Sequence, residues 1–295
     1  REPLIKVIAP IMEAQLVETA ILNIINHQSL IATKAARVVN TARGDGVMEF
    51  GLRRAQGPDA GTYGARAAMI GGCIGTSNVL CGQLFDVPVL GTHAHSWIMS
   101  FPDEYTAFKT YAELYPNACT LLVDTYDTLK SGVPNAIRVF KEMRRAKKLN
   151  GRYGIRLDSG DLAYLSKEAR KMLDAAGFKN AIISASSDLD EYLIDSLKSQ
   201  GAQITSWGVG TNLITSKDCP AFGGVYKLAA VKTGDGDFVP KIKLSENSEK
   251  VTNPGNKTVY RIYEKANGKL KADLISLVDD RFDESKDLVI FDPVE

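Results

Sequence analysis

Apolar residues gather in short runs, separated by stretches in which they recur every three or four positions, the signatures of buried strands and amphipathic helices. Leu4–Ile8 reads as a short strand, and Ile11 to about Arg43 as one long or broken helix, apolar on most faces and therefore expected to be largely buried. Further runs follow at Val47–Phe50, Pro88–Thr92, Thr120–Asp124, Tyr153–Asp158, Ala181–Ser186, Ile204–Gly208 and Val225–Val231. Between them Pro134–Leu149, Leu162–Ala176 and Asp188–Ser199 carry helical spacing, with Gly151, Gly177 and Gly201 close behind as stop signals. The alternation predicts βα units around a parallel sheet, an α/β fold.

The polar residues choose among parallel architectures. Arg53 and Arg54 follow the run ending at Phe50, His93 and His95 follow Val89-Leu90, and Asp124, Arg156 and Asp158 close their own runs. Ser186-Ser187-Asp188 and the glycines Gly208 and Gly210 occupy the same place in later units. Side chains just past successive strand ends converge in a barrel but spread along the edge of an open sheet, so the pattern favours a βα barrel with its site at the carboxyl-end mouth. After Val231 the pattern changes to hairpins, with turns at Thr233-Gly234-Asp235-Gly236-Asp237 and Asn267-Gly268. The expected organisation is residues 1–10 as the end of a β-rich domain, 11–232 as the barrel, and 233–295 as a β-hairpin segment joining the β-rich domain.

Length and composition narrow the class. A chain of 295 residues holds about two domains, or a barrel with an attachment. With 44% hydrophobic and 24% charged residues it is ordinary globular protein rather than a disordered or disulfide-stapled one. The formal net charge of +1 supplies no global field for nucleic acid or an anionic membrane, so any anion site is local. Cys73, Cys81, Cys119 and Cys219 form no CxxC pair and have no histidine at zinc-finger spacing, which fits a reducing cytoplasm. The charge-free run Ala67–Phe85 has the length of a membrane span, but its glycines, Ser77, Asn78 and Gln83 mark it as buried soluble core. The opening Arg1-Glu2-Pro3, without Met, is expected to lie inside a longer protein.

Four groups of residues carry candidate chemistry. Gly51-Leu52-Arg53-Arg54-Ala55-Gln56-Gly57-Pro58-Asp59 sets two arginines on a strand-to-helix loop, where guanidinium binds phosphate or carboxylate bidentately; the pair equally fits a solvated surface loop. Ser206-Trp207-Gly208-Val209-Gly210-Thr211-Asn212 lets backbone N–H groups close round a phosphate, with Thr211 and Asn212 as extra donors, or makes a tight connection and nothing more. Asp124, Asp127, Asp158 and Asp161 suit ribose hydroxyls and Mg²⁺, although Asp127 and Asp161 immediately precede helical segments and fit N-caps. The His93-Ala94-His95 spacing suits metal binding with Asp124 or Asp158 as a third ligand, or one imidazole acting as a nucleophile toward phosphoryl groups. His27, within the long helix, reads as a hydrogen-bonded core residue.

Taken together, Glu49–Asp59, Gly75-Thr-Ser-Asn-Val79, Gly91-Thr-His-Ala-His-Ser96, Val123-Asp-Thr-Tyr-Asp127, Arg156-Leu-Asp-Ser-Gly-Asp161 and Gly208-Val-Gly-Thr-Asn212 resemble, in order, the nicotinate phosphoribosyltransferase family. The resemblance runs through Lys257–Arg261 and implies an incomplete βα barrel beside a β-rich domain, in a homodimer with a shared active site; the cysteine usage adds the cytoplasmic compartment. It also implies transfer of phosphoribosyl from phosphoribosyl pyrophosphate to nicotinate, giving nicotinate mononucleotide for NAD biosynthesis, with Mg²⁺ and with ATP hydrolysed through a phosphohistidine. By position, His95 matches the phosphorylated histidine and His93 does not. Arg53 and Arg54 match contacts for nicotinate and phosphate, and Arg156 and Asp158 contacts for ribose and pyrophosphate. Asp124 matches a Mg²⁺ or ribose ligand, with Asp158 beside it as the second expected Mg²⁺ carboxylate. Thr92 is taken with the substrate-binding set, and Gly208, Gly210 and Thr211 match the 5-phosphate loop. Nicotinamide-using relatives carry an aspartate at Ser77, which would repel a carboxylate, so a serine favours the acid. Three alternatives remain at this stage: a nicotinamide- or quinolinate-type transferase, a metal-dependent barrel hydrolase using His93 and His95, and a non-enzymatic dimerising or ligand-binding segment that retains phosphate affinity without turnover.

Overall fold

Six parallel strands, ordered β2-β1-β6-β5-β4-β3, form the main sheet: β1 (Gly46–Glu49), β2 (Gly75–Thr76), β3 (Ala118–Leu122), β4 (Arg152–Leu157), β5 (Ile182–Ala185) and β6 (Ser206–Val209). The structure is a computed structural model that describes residues 2–244, 246, 251–282 and 286. No bond joins β2 to β3, so the sheet is an incomplete barrel: the strand–helix pattern predicts the barrel, and the family resemblance implies that it is incomplete. Its strands are nearly continuous apolar runs because helices cover them; Leu121, Leu122, Ile155, Leu157, Ile183, Trp207 and Val209 are all buried. Each buried aliphatic side chain of this kind contributes ~1.5–3 kcal/mol. The predicted strand at Pro88–Thr92 shrinks to one bridge, Val89 to Thr76, because Pro88 has no N–H to donate.

The chain divides into two compact units, residues 23–223 and residues 1–22 with 224–295. In the larger one α3 (Pro58–Ile70), α4 (Val79–Phe85), α5 (His95–Met99), α6 (Glu104–Leu114), α7 (Val133–Arg145), α8 (Leu162–Ala175), α9 (Glu191–Ser199) and α10 (Thr211–Ile214) follow the strands. Their starts obey local capping chemistry: Asn78, Asp103, Asp161 and Asp190 each accept a backbone N–H of the first turn. Asp127 accepts two amides at the start of a π-helical turn, Thr128–Gly132, so Asp127 and Asp161 are caps. Phe140, Tyr153 and Phe178 pack edge to face under α7, with centroids 5.2–6.1 Å apart.

The expected N-terminal helix is broken into α1 (Ile11–Leu16) and α2 (Glu18–Thr41), and it is not largely buried. Only Ile31, Lys34, Ala35 and Val38 of α2 are buried, a single stripe at helical spacing, while Leu16 is 81% exposed. An apolar residue on every face states what could be buried, but only the face given a partner is. Similarly, Ala67–Phe85 is core on one side only: Ala67, Ala68, Cys73 and Cys81 are buried, whereas Val79, Leu80 and Leu84 of α4 are exposed. Leu4–Ile8 forms no strand, since it makes no backbone ladder with any described residue. Burial also sets the thiol chemistry: Cys73 and Cys119 are pushed up to about 12, Cys81 is raised, and Cys219 alone is exposed.

In the smaller unit, β7 (Ala230–Val231) pairs antiparallel with β8 (Val239–Pro240), and β9 (Lys257–Tyr263) with β10 (Leu270–Leu277). These are the hairpins expected at Thr233–Asp237 and Asn267-Gly268, although the expected strand Val225–Val231 is reduced to its last two residues. Arg1 and, from the predicted 233–295 segment, residues 245, 247–250, 283–285 and 287–295 lie outside the described residues. Among the described residues no helix is long and apolar enough to cross a membrane.

Candidate active site

His95 is the first residue of α5, and its ring is held from both sides. Its Nδ1 lies 3.0 Å from Thr125 Oγ1, while its Nε2 lies 3.5 Å from Asp158 Oδ2 and 3.9 Å from Asp124 Oδ1. Asp124 stands just past β3 and is 2% exposed. Its Oδ2 accepts the Asp158 amide at 2.8 Å and the Ser159 hydroxyl at 2.6 Å, which ties the ends of β3 and β4 together. Asp124 Oδ1 is buried and accepts no hydrogen bond, an arrangement that leaves one carboxylate oxygen available to a cation. Asp158 accepts the Ser186 hydroxyl from the end of β5. Three neighbouring strand ends therefore present two carboxylates to one imidazole. The sequence marked Asp124, Asp158 and His95, and placed Ser186 at the end of its own run, but assigned no role to Thr125 and Ser159; theirs is visible only once the strands are side by side.

Arg156 comes from β4, and its guanidinium donates to Thr92 Oγ1, which joins these two predicted residues directly. Burial lowers its pKa, opposed by the negative charges of Asp158 and Asp124. Arg156 Nε is buried without an acceptor.

His93 belongs elsewhere, despite lying two residues from His95. Its Nε2 accepts the Leu122 amide at 3.3 Å, and its ring stands edge-on against Tyr111 with centroids 4.5 Å apart. Burial drives its pKa down to about 4, so the ring is neutral. A hydrolase built on both histidines needs both rings at the mouth, and His93 is instead committed to β3 and α6. Among the described residues no group of three or more His, Cys, Asp or Glu could hold a metal ion. His27 is likewise not the hydrogen-bonded core residue expected, since its buried Nε2 has no partner; its Cε1 faces Gly64 of α3, where an added Cβ would lie 3.7 Å away.

Arg53 and Arg54 form a 3₁₀ turn after β1. Both are exposed, and neither guanidinium has an ion-pair partner among the described residues. The turn is fixed by Glu49, a fully buried carboxylate that accepts the Gly51 amide and, at 2.5 Å, the Thr76 hydroxyl. Burial raises the Glu49 pKa against the effect of those two bonds. Its carbonyl also accepts the Ser77 amide at 3.0 Å, so one residue joins the arginine turn to the Ser77 segment. The only carboxylate inside the apolar run Val47–Phe50 was the available signal for this role. Ser77 is half-buried, and its hydroxyl has no hydrogen-bond partner among the described residues.

Gly208 lies within β6 opposite Met48, and Gly210 caps α10. A Cβ at Gly208 would sit 2.6 Å from two ring carbons of Phe50, so close packing of β1 on β6 demands a glycine there. Thr211 opens α10 and is half-buried. Asn212 is not an extra phosphate donor. Its Nδ2 is spent on the carbonyls of Asp188, at 2.8 Å, and Leu189, at 3.1 Å, and the residue is buried.

Comparison with known proteins agrees with this geometry. The nicotinate phosphoribosyltransferase (NAPRTase) family profile matches residues 46–264. The chain is 57% identical to the nicotinate phosphoribosyltransferase of Bacillus subtilis over 293 residues, covering 99% of this chain and 59% of that protein. It is 47% identical to one from Mycobacterium tuberculosis, covering 88% of this chain and 54% of that protein. The chain thus spans little more than half the length of these curated relatives. The crystal structure of human nicotinic acid phosphoribosyltransferase superposes with a TM-score of 0.74 at 32% identity, over 93% of this chain and 61% of the human one. The ordered strand-end motifs, the six-stranded incomplete barrel and this breadth of match give one conclusion: the chain belongs to the nicotinate phosphoribosyltransferase family.

Proposed function

We propose that this protein transfers the phosphoribosyl group of phosphoribosyl pyrophosphate to the ring nitrogen of nicotinate, giving nicotinate mononucleotide and pyrophosphate as the first step from nicotinate to NAD. The observation that carries the proposal is His95, held between Thr125 and the two strand-end carboxylates Asp124 and Asp158. In the proposed coupling, a nitrogen of His95 forms a bond to the γ-phosphorus of ATP as the bond to ADP breaks. Hydrolysis of that N–P bond later returns inorganic phosphate.

In the transfer itself, the anomeric C–O bond to pyrophosphate breaks while a bond to the pyridine nitrogen forms, through an oxocarbenium-like state. The ring nitrogen has a lone pair, so no base is required. Arg156 and its Thr92 partner face the departing pyrophosphate, and the phosphoryl group on His95 places negative charge beside the developing cation. Asp124 and Asp158 fit Mg²⁺, because a buried unpartnered oxygen and one further carboxylate are the one or two protein ligands such a cation takes beside substrate phosphates. What it supplies when bound is neutralisation of pyrophosphate charge. Arg53 and Arg54 receive the nicotinate carboxylate and phosphate, Ser77 donates to the carboxylate, and Gly208, Gly210 and Thr211 hold the 5-phosphate. A cytoplasmic homodimer sharing the site completes the proposal.

The test is mass-spectrometric detection of mononucleotide from nicotinate and, separately, nicotinamide, each with phosphoribosyl pyrophosphate and Mg²⁺, with and without ATP. Product from nicotinate, enhanced by ATP and accompanied by phosphate on His95, is the expected result. His95→Ala should remove the ATP-dependent enhancement; equal loss with and without ATP would exclude the coupling role.

A further inference from the structure

Lys34 lies in α2, outside every motif of the site, and is only 3% exposed. Its ammonium is 2.6 Å from Glu191 Oε2, at the start of α9, and pairs also with Asp218 beyond α10. Lysine is almost never buried to this degree without partners. Such a pair is weak evidence for stability, and its better-attested value is fixing one arrangement among several.

The two partners stand at the ends of two loops. Glu191 follows the turn Ser186–Asp190 after β5, in which Ser187 and Asp188 have φ of 98° and 39°. A serine in the left-handed region is held there only by its surroundings. Asp218 follows α10, whose end is closed by the Ser216 amide on Leu213 O at 3.0 Å and the Lys217 amide on Asn212 O at 3.2 Å. Asn212 links the two loops through the carbonyls of Asp188 and Leu189. The loops are thus joined once by Asn212 and again by Lys34. Ion pairing with Asp218 and Glu191 outweighs the effect of burial and keeps the lysine charged.

We propose that Lys34 is a positioning residue: by pairing with both Glu191 and Asp218 it locks the Ser186–Asp190 and Gly210–Ile214 segments into the geometry that receives the phosphate end of phosphoribosyl pyrophosphate. The identity of that ligand rests on the function proposed above, whereas the mechanical link between the loops does not. Lys34 itself touches no reactant.

Asp218→Asn is the primary test, because Asp218 is 47% exposed and its neutralisation leaves Lys34 paired with Glu191. Lys34→Met and Lys34→Arg are made beside it in the full chain. Steady-state kinetics and hydrogen exchange of residues 186–190 and 210–216 are measured for each. Asp218→Asn and Lys34→Met should speed exchange in both segments and raise KM for phosphoribosyl pyrophosphate on the order of tenfold, with KM for nicotinate unchanged. Lys34→Arg, which keeps the charge, should recover part of the loss. Unchanged exchange in folded Asp218→Asn overturns the proposal whatever the kinetics, as does an equal rise in both KM values. Should the unsubstituted protein form no mononucleotide, the proposed function fails, and faster exchange confined to the two segments still sustains the lock.

Discussion

Asp124 accepts two hydrogen bonds from the loop after β4 and is nearly inaccessible, whereas Arg53 and Arg54 stand exposed on a three-residue turn with no ion partner among the described residues. On the carboxylate side, His95, Asp158, Arg156 and Thr92 are all bonded or paired to one another or to their neighbours before any ligand arrives. On the arginine side only the backbone is fixed, through Glu49, and the charged groups remain free. Preorganisation costs nothing at the moment of reaction, so it suits the groups that face developing charge. Under the proposed function, exposed guanidinium groups suit recognition, with the nicotinate carboxylate as the missing partner.

This contrast makes the two sides separable by mutation. The largest effect should come from Asp124→Asn, which keeps an acceptor for the Asp158 amide but removes the charge: kcat should fall on the order of 10²–10³-fold with the melting temperature little changed. Near-normal turnover in that variant would place the chemistry elsewhere. Arg53→Ala and Arg54→Ala should each raise KM for nicotinate, by ~1.5–3 kcal/mol of binding for a lost charged hydrogen bond. Stability should stay within about 0.5 kcal/mol, as for other surface substitutions; a lowered melting temperature with normal KM would show the arginines to be structural. Ser77→Asp should swing the ratio of nicotinate to nicotinamide use on the order of tenfold toward the amide, and unchanged selectivity would remove Ser77 from base recognition.

His93 gives the smallest effect near neutrality. Its native pKa of about 4 lies below the ordinary 6.5, so the unfolded chain binds a proton first as the pH falls. The stability it contributes is complete above pH 6.5, is reduced by under ~1 kcal/mol at pH 6, and is lost progressively toward pH 4. Thermal melts of His93→Gln, which retains an acceptor for the Leu122 amide, should show a flatter dependence across that window. An unchanged slope would show that other groups govern it.

The strand ends were legible because a polar residue closing an apolar run has few places to go except the mouth of a parallel sheet. His95, Asp124, Arg156 and Asp158 follow that rule. Asn212 broke its expected role because the sequence shows a donor but not the two carbonyls that reach it from the neighbouring loop. Lys34 was invisible for the same reason: a lysine on a helix reads as solvated until α9 and the segment after α10 are seen to cover it. Leu4–Ile8 has strand composition without a ladder to join, and α2 has apolar residues on faces that no described neighbour covers.

The distribution of sulfur has a practical consequence. Three thiols are buried, two of them held far above the range in which a thiolate forms, while Cys219 is exposed immediately after Asp218. A maleimide or nitroxide reagent at neutral pH should therefore label one position under native conditions, beside the segment that carries α10. The protein comes with a natural attachment point for a fluorophore or spin label, and motion of that segment during turnover can be followed without engineering a new cysteine.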